Sequence, residues 1–444
     1  MCNLPLKGIA AVVGGILITM TTGSYQCFGN LAPYLVSYIR KHGSPRNLNY
    51  LRGQNIFAVM MVTETIFMII NSYIERMTGF RLAVFIGTTT LTCGYFLTAY
   101  AINVHFYLVI FTYAIGTAIG LGMTFANIGV NAAKWFPGHE GMITGLATLG
   151  LGSSPLILSP LQHLLINPTN LMPNMTSSGS SDLYFDQESL LQRVPTYFTK
   201  KAVIFACLQI VGHCCLFEKK EVQLNEDSDV EREQGEEGDS QKDPLLPSAT
   251  VSASVMHLFK SKSYWVMASS FCFSCASTVF ILVNFKSYGQ TIINDDSFLT
   301  MTWSISSISG GIGRMGGGFL LDVTSFKFVI LINCVFQSAI CLFLGLCELH
   351  KVPIIYCMLI NCTALLQNCL ITIFQVVGWR RFQYVERNLS IGLVFLGWCC
   401  GNLISVVFGY ILMSVCDWQG TFTAFVCLPI SGVVITWFLV DEDT

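Results

Sequence analysis

Two charged residues sit where charge is expensive. Arg314 lies in "GIGRMGGGFLLD" (311–322), inside a long apolar stretch and among five glycines. Glu64 lies in "MMVTETIFMII" (60–70), which is apolar on both sides. A guanidinium presents a planar fork that holds a carboxylate by two parallel hydrogen bonds, which an ammonium cannot do. A carboxylate at membrane depth is costly when ionised, so it serves either as a protonated hydrogen-bonding group or as a site that takes up and releases a proton. An ion pair between the two residues is a third reading. Arg314 has a bland alternative too, since an arginine near a helix end can stretch its head toward water. The surrounding glycines argue against that, because they form a packed or cavity-lining face rather than a lipid face.

The elements that hold these residues follow from composition. Of 444 residues, 53% are hydrophobic and only 11% charged, against about 25% charged in a soluble domain. The apolar residues come in blocks near the ~20 needed to cross ~30 Å of hydrocarbon. Twelve such blocks are read, near 8–38, 53–73, 82–103, 105–131, 142–163, 199–217, 263–285, 298–320, 326–347, 353–376, 389–410 and 418–438. Glu64 is then almost central in the second. Arg314 is about five residues past the middle of the eighth, roughly 7 Å at 1.5 Å per residue. The expected fold is an all-α membrane protein of twelve transmembrane helices in two six-helix halves, 1–217 and 263–444, joined by an acidic, disordered linker at 218–262. The first apolar stretch is too long for a cleaved signal and is expected to stay.

Lysine and arginine distribution favours both termini in the cytosol, with Arg40, Lys41, Arg46 and Arg52 as the exceptions. That orientation puts the sequon at Asn174 outside the cell, where it is expected to be glycosylated. The eighteen cysteines fall mostly within the spans and read as small packing residues. His163 and His213, near span ends, read as structural. Glycines four apart (116/120, 141/145, 313/317, 397/401) mark faces where helices approach closely, either fixed or sliding.

The halves echo each other. "NSYIERMTGFR" follows the second span and "GFLLDVTSFK" the eighth, each with an acid at the same helix end, Glu75 and Asp322. The first of these, with Arg76 and Arg81, resembles the D-R-x-G-R-R loop of the major facilitator superfamily, with Glu75 for the aspartate and one extra residue before Gly79. The resemblance implies two parallel repeats and a cytosolic gate in which Glu75, Arg76, Arg81 and Asp322 pair across the halves. The stretch 120–161, with Lys134, Trp135, Phe136, Pro137 and Gly141 in order, resembles the oxalate/formate antiporters and monocarboxylate transporters, with Glu140 where those families have arginine. Those families carry a substrate-binding arginine in span eight, in an R-P-x-x-G context. "RMGGG" keeps the arginine and the later glycine and lacks the proline. Oxalate-type members also place a lysine in span eleven, where Trp398 stands here, so one carboxylate fits better than two.

The implied protein is a secondary transporter of a small organic anion, most readily a monocarboxylate, with Arg314 as anchor, Tyr25, Asn127 and Trp398 as further cavity candidates, and Glu64 as candidate proton carrier. The rivals are a transporter of another small solute, such as an amino acid or sugar, and a non-transporting membrane sensor acting through the acidic linker. No catalytic motif, cofactor, metal or nucleic-acid partner is expected; the lipid bilayer is the other partner, and the oligomeric state is open. The plasma membrane is the first expectation. The endolysosomal membrane is second, on the dileucine-like "DPLLP" at 243–247.

Overall fold

The computed structural model describes residues 6–136, 140–176, 183–219, 248–350, 352–382, 385 and 387–438. Most of the acidic run, the DPLLP motif and the Pro137 turn lie outside them. Twelve long helical units are seen: α1 (Leu6–His42), α2 (Tyr50–Thr78), α3 (Phe80–Ala101), α4 (Phe106–Ala133), α5 (Leu149–Ile166, preceded by Glu140–Ala147), α6 (Glu188–Cys215), α7 (Lys262–Ile292), α8 (Asp296–Val323), α9 (Phe326–His350), α10 (Pro353–Arg381), α11 (Arg387–Val415) and α12 (Trp418–Trp437). Among the described residues, eleven helices are long and apolar enough to cross a membrane. The twelfth, α8, has the length, at 28 residues. Its serines, glycines and Arg314 dilute its hydropathy, because it faces a polar interior.

Helices α1 to α6 pack among themselves, as do α7 to α12, and three pairs join the halves: α1 with α7, α2 with α11, and α5 with α8. Advancing every number by six turns the α2–α11 contact into α8–α5 and returns α1–α7 to itself. That is the pattern of two like repeats about a central axis. The glycine pairs lie within the halves. A Cβ on Gly313 would come 2.1 Å from the Leu365 carbonyl oxygen of α10, and one on Gly397 would come 2.4 Å from the Ala268 oxygen of α7. Gly116 likewise meets Gly94 of α3. These faces bring helices of the same half to backbone contact. Gly145 has open space around it instead.

Two expectations about loops change. The linker is shorter than 218–262, since Ser248–Lys260 forms a helix. Val255, Leu258 and Phe259, at helical spacing, seat it against the core. The loop between α7 and α8 shrinks to three residues, because both helices run past the expected 285 and 298 boundaries. Two of the basic residues that ran against the bias, both in the last turn of α1, also find an explanation. Lys41 pairs with Asp186 at 3.0 Å and Glu188 at 3.2 Å, and the Arg40 guanidinium lies 4.1 Å over the Tyr184 ring. Arg46 and Arg52 are exposed. Asn174 is exposed there, opening a two-stranded hairpin of β1 (Met175–Thr176) and β2 (Leu183–Tyr184). The loop from α2 to α3 is one residue, Gly79, at φ +86°, a left-handed conformation that suits glycine.

Candidate functional site: a central cavity between the halves

Helix α1 is not continuous. Gly23–Cys27 tightens into a 3-10 turn. Irregular backbone at membrane depth is tolerated where it lines a cavity, and Tyr25 and Gln26 of this turn do line one. The opposite wall is built by the second half: Trp303, Ser306, Ser307 and Arg314 of α8, Gln367 and Asn368 of α10, and Trp398 of α11. The cavity encloses about 60 Å³ into which the centre of a water molecule fits. One water needs ~10–15 Å³ on that measure, so the space suits a few waters or one small ion.

Arg314 is the one charged residue among those lining this cavity. Its Nε donates to Asn368 Oδ1 at 2.8 Å. Asn368 in turn donates Nδ2 to the Ala364 carbonyl at 2.9 Å, which fixes its amide so that the oxygen faces the guanidinium. Among the described residues no other hydrogen bond or ion pair engages Arg314, so its two terminal amino groups are left over. Those are the groups that grip a carboxylate as a fork. The glycine-rich stretch makes this geometry. Gly313 and Gly317 let α8 lie on α10 at backbone contact, and a Cβ on Gly310 would fall 2.6 Å from Asn368 Nδ2.

The other residues singled out in the sequence divide. Tyr25 and Trp398 share the cavity with Arg314, and Trp398 leans on Phe271 with ring centroids 5.6 Å apart. Asn127 does not reach the cavity wall. It accepts from Asn71 Nδ2 at 2.9 Å and donates to the Met123 carbonyl at 3.2 Å, tying α2 to α4. Its expected cavity position is thereby corrected: a short amide one helix back finds a neighbour before it reaches open space. Glu64 is 4% exposed, and its Oε2 has no hydrogen-bond partner. It makes no ion pair with Arg314.

Of the expected gate residues, Glu75 and Arg81 have described neighbours in the first half. The charges that act on Glu75 are those of Lys134, Glu218 and Arg76, and the Arg81 guanidinium sits 5.9 Å over Phe217. The Asp322 side chain lies outside the described residues. The same end is tied down by the "KWF" segment. Trp135 Nε1 donates to the Phe217 carbonyl at 3.2 Å, and Lys219 Nζ donates to the Lys134 carbonyl at 2.8 Å.

A second charged group was missed in the sequence. Lys286 of α7 and Asp296 of α8 are fully buried and paired at 3.0 Å. They lie at the end of the bundle that carries the Asn174 loop. Lys286 Nζ also donates to Asn30 Oδ1 at 2.8 Å and to the Tyr34 hydroxyl at 2.9 Å, both on α1. The signal was hidden because each charge falls at the edge of an apolar block, where it reads as the start of a loop. His163 borders this pair, with its Nδ1 3.2 Å from Asp296 Oδ2.

Twelve helices in two like halves around a cavity of mixed lining that bears one arginine define a carrier of small solutes rather than an enzyme. The chain belongs to the Major Facilitator Superfamily, whose family model matches residues 15–383. It is 22% identical over 385 residues to apicoplast pyruvate carrier 1 of Toxoplasma gondii, covering 72% of this chain and 68% of that protein. It is 23% identical over 235 residues to apicoplast pyruvate carrier 2 of the same organism, covering 45% and 36%. Among solved structures, a D-xylose–proton symporter superposes with a TM-score of 0.67 at 11% identity, covering 98% of this chain and 97% of that one. The fucose–proton symporter of E. coli superposes with a TM-score of 0.58 at 14% identity, covering 97% and 99%.

Proposed function

We propose that the protein is a secondary transporter of a small monocarboxylate, working by alternating access to the central cavity. The observation that carries this reading is the Arg314 guanidinium, held by Asn368 through Nε with its fork end unengaged in a cavity sized for one small ion. The likeness to two proteins named as pyruvate carriers supports the same class of substrate. The absence of a second cation among the cavity-lining residues favours one carboxylate over two. Tyr25 and Trp398 shape the site around it. In this reading both termini are cytosolic and the Asn174 loop is external.

Glu64 is the proposed proton carrier. It is buried at membrane depth, and alternating access would bring the cavity's water toward it from each side in turn. The test of the whole reading is uptake into liposomes by purified protein, with a panel of short carboxylates, in wild type and Arg314→Lys. Lysine keeps the charge and loses the fork. The variant is expected to remain folded and to lose both uptake and thermal stabilisation by carboxylates. Normal transport by Arg314→Lys would remove the anchor, and with it this assignment.

A further inference from the structure

Asp296 is shared between the two halves in an ordered way. Its Oδ2 receives only from the first half: the Tyr34 hydroxyl of α1 and Asn167 Nδ2 at 3.1 Å, with His163 of α5 at 3.2 Å. Its Oδ1 receives only from its own half: Lys286 Nζ at 3.0 Å and Gln290 Nε2 at 3.0 Å, both on α7. Nearby, Gln54 Nε2 donates to Asn284 Oδ1 at 2.5 Å, and Asn170 bridges to Asp295 and to the Ser297 amide at 3.0 and 2.8 Å. All of these also cross between the halves. Together they shut the Asn174 end of the molecule above the cavity.

Parting the halves at this end breaks every bond on Oδ2 and none on Oδ1, and it takes Asn30 and Tyr34 of α1 away from Lys286. The ion pair is never split. That matters because separating a buried pair leaves two ions uncompensated, whereas a hydrogen bond from a neutral donor to the carboxylate, though stronger than one between neutral groups, is replaced by one from water. A gate whose charges sat on opposite halves would be hard to open. This one keeps its charge compensated in both states and is held shut by polar neighbours. We propose that Asp296 is the release point of the gate at the Asn174 end, that Tyr34, Asn167 and His163 are the groups that let go, and that Lys286 is a counter-ion that travels with Asp296.

The proposal concerns the conformational cycle alone, so its test needs no substrate. A reporter, Ser307→Cys on the cavity wall, is labelled with a membrane-impermeant maleimide from the Asn174 side. Labelling is read over that of the same chain without the reporter. Tyr34→Phe with Asn167→Ala removes first-half donors and is expected to raise reporter labelling at least several-fold. If that double variant is not recovered folded, the two single changes are measured, each with a smaller rise expected. Lys286→Met with Asp296→Asn removes the charges yet leaves an acceptor facing the first half, and is expected to label within about two-fold of wild type. Wild-type labelling in a folded Tyr34→Phe/Asn167→Ala protein overturns the proposal. So does strong opening of the Lys286→Met/Asp296→Asn protein, which would mean that the charges, through the pair or through the bonds of Lys286 to α1, hold the halves together.

Discussion

Arg314 owes its orientation to Asn368, and that dependence is measurable. Asn368→Ala should leave the charge in place while freeing the guanidinium to rotate. Loss of a hydrogen bond to a charged group costs about 1.5–3 kcal/mol. Carboxylate binding by calorimetry or thermal shift should therefore weaken by roughly ten-fold or more, with expression unchanged. Glu64 offers a different experiment. Glutamine mimics the protonated acid and has no proton to release. Glu64→Gln should abolish uphill uptake driven by a pH gradient while exchange of labelled for unlabelled substrate survives. A variant that still concentrates substrate on a pH gradient would leave Glu64 a purely structural role. Both residues were legible in the sequence because charge within an apolar block stands out. Lys286 and Asp296 were not, because a compensated pair at helix ends looks like a loop. Asn127 was misplaced because residue type says nothing about how far a side chain must reach.

At the scale of elements, the twelve apolar blocks were readable because a membrane fixes their length, and the observed helices differ mainly at their ends. The break in α1 left no clear mark, since a 3-10 turn changes the hydrogen-bonding pattern without changing composition. The glycine spacing in α8 pointed correctly to close packing, but only the structure names α10 as the partner. Gly313→Val should accordingly be severe. Its first added carbon would already be 2.1 Å from the Leu365 oxygen, and forcing packed helices apart costs typically 1–3 kcal/mol. A lower yield of monodisperse protein and a lower melting temperature would show it. A change at Gly145, where a Cβ meets nothing, should be mild by the same assay. The hairpin loop carries its own test. Asn174→Gln should remove the whole glycan-dependent mobility shift on a gel, and a residual shift that depends on Asn388, which opens the sequon N-L-S at a span edge expected in the cytosol, would reverse the proposed orientation.

At the scale of the molecule, one fixed positive charge beside one titratable carboxylate has an electrical consequence. On the proposed cycle the loaded carrier holds Arg314 with a bound carboxylate and Glu64 protonated, so its net charge is zero. The empty carrier has released both anion and proton, which leaves Arg314 positive and Glu64 negative, and the sum is zero again. Field acting on one unit charge is worth ~2.3 kcal/mol per 100 mV, but neither state presents a net charge to it. In voltage-clamped vesicles, one-for-one exchange and net uptake on a pH gradient should both be nearly indifferent to potential. Glu64→Gln leaves Arg314 uncompensated in the empty state, so return of that empty carrier should become voltage-sensitive, with a negative interior pulling it toward the inward-facing state.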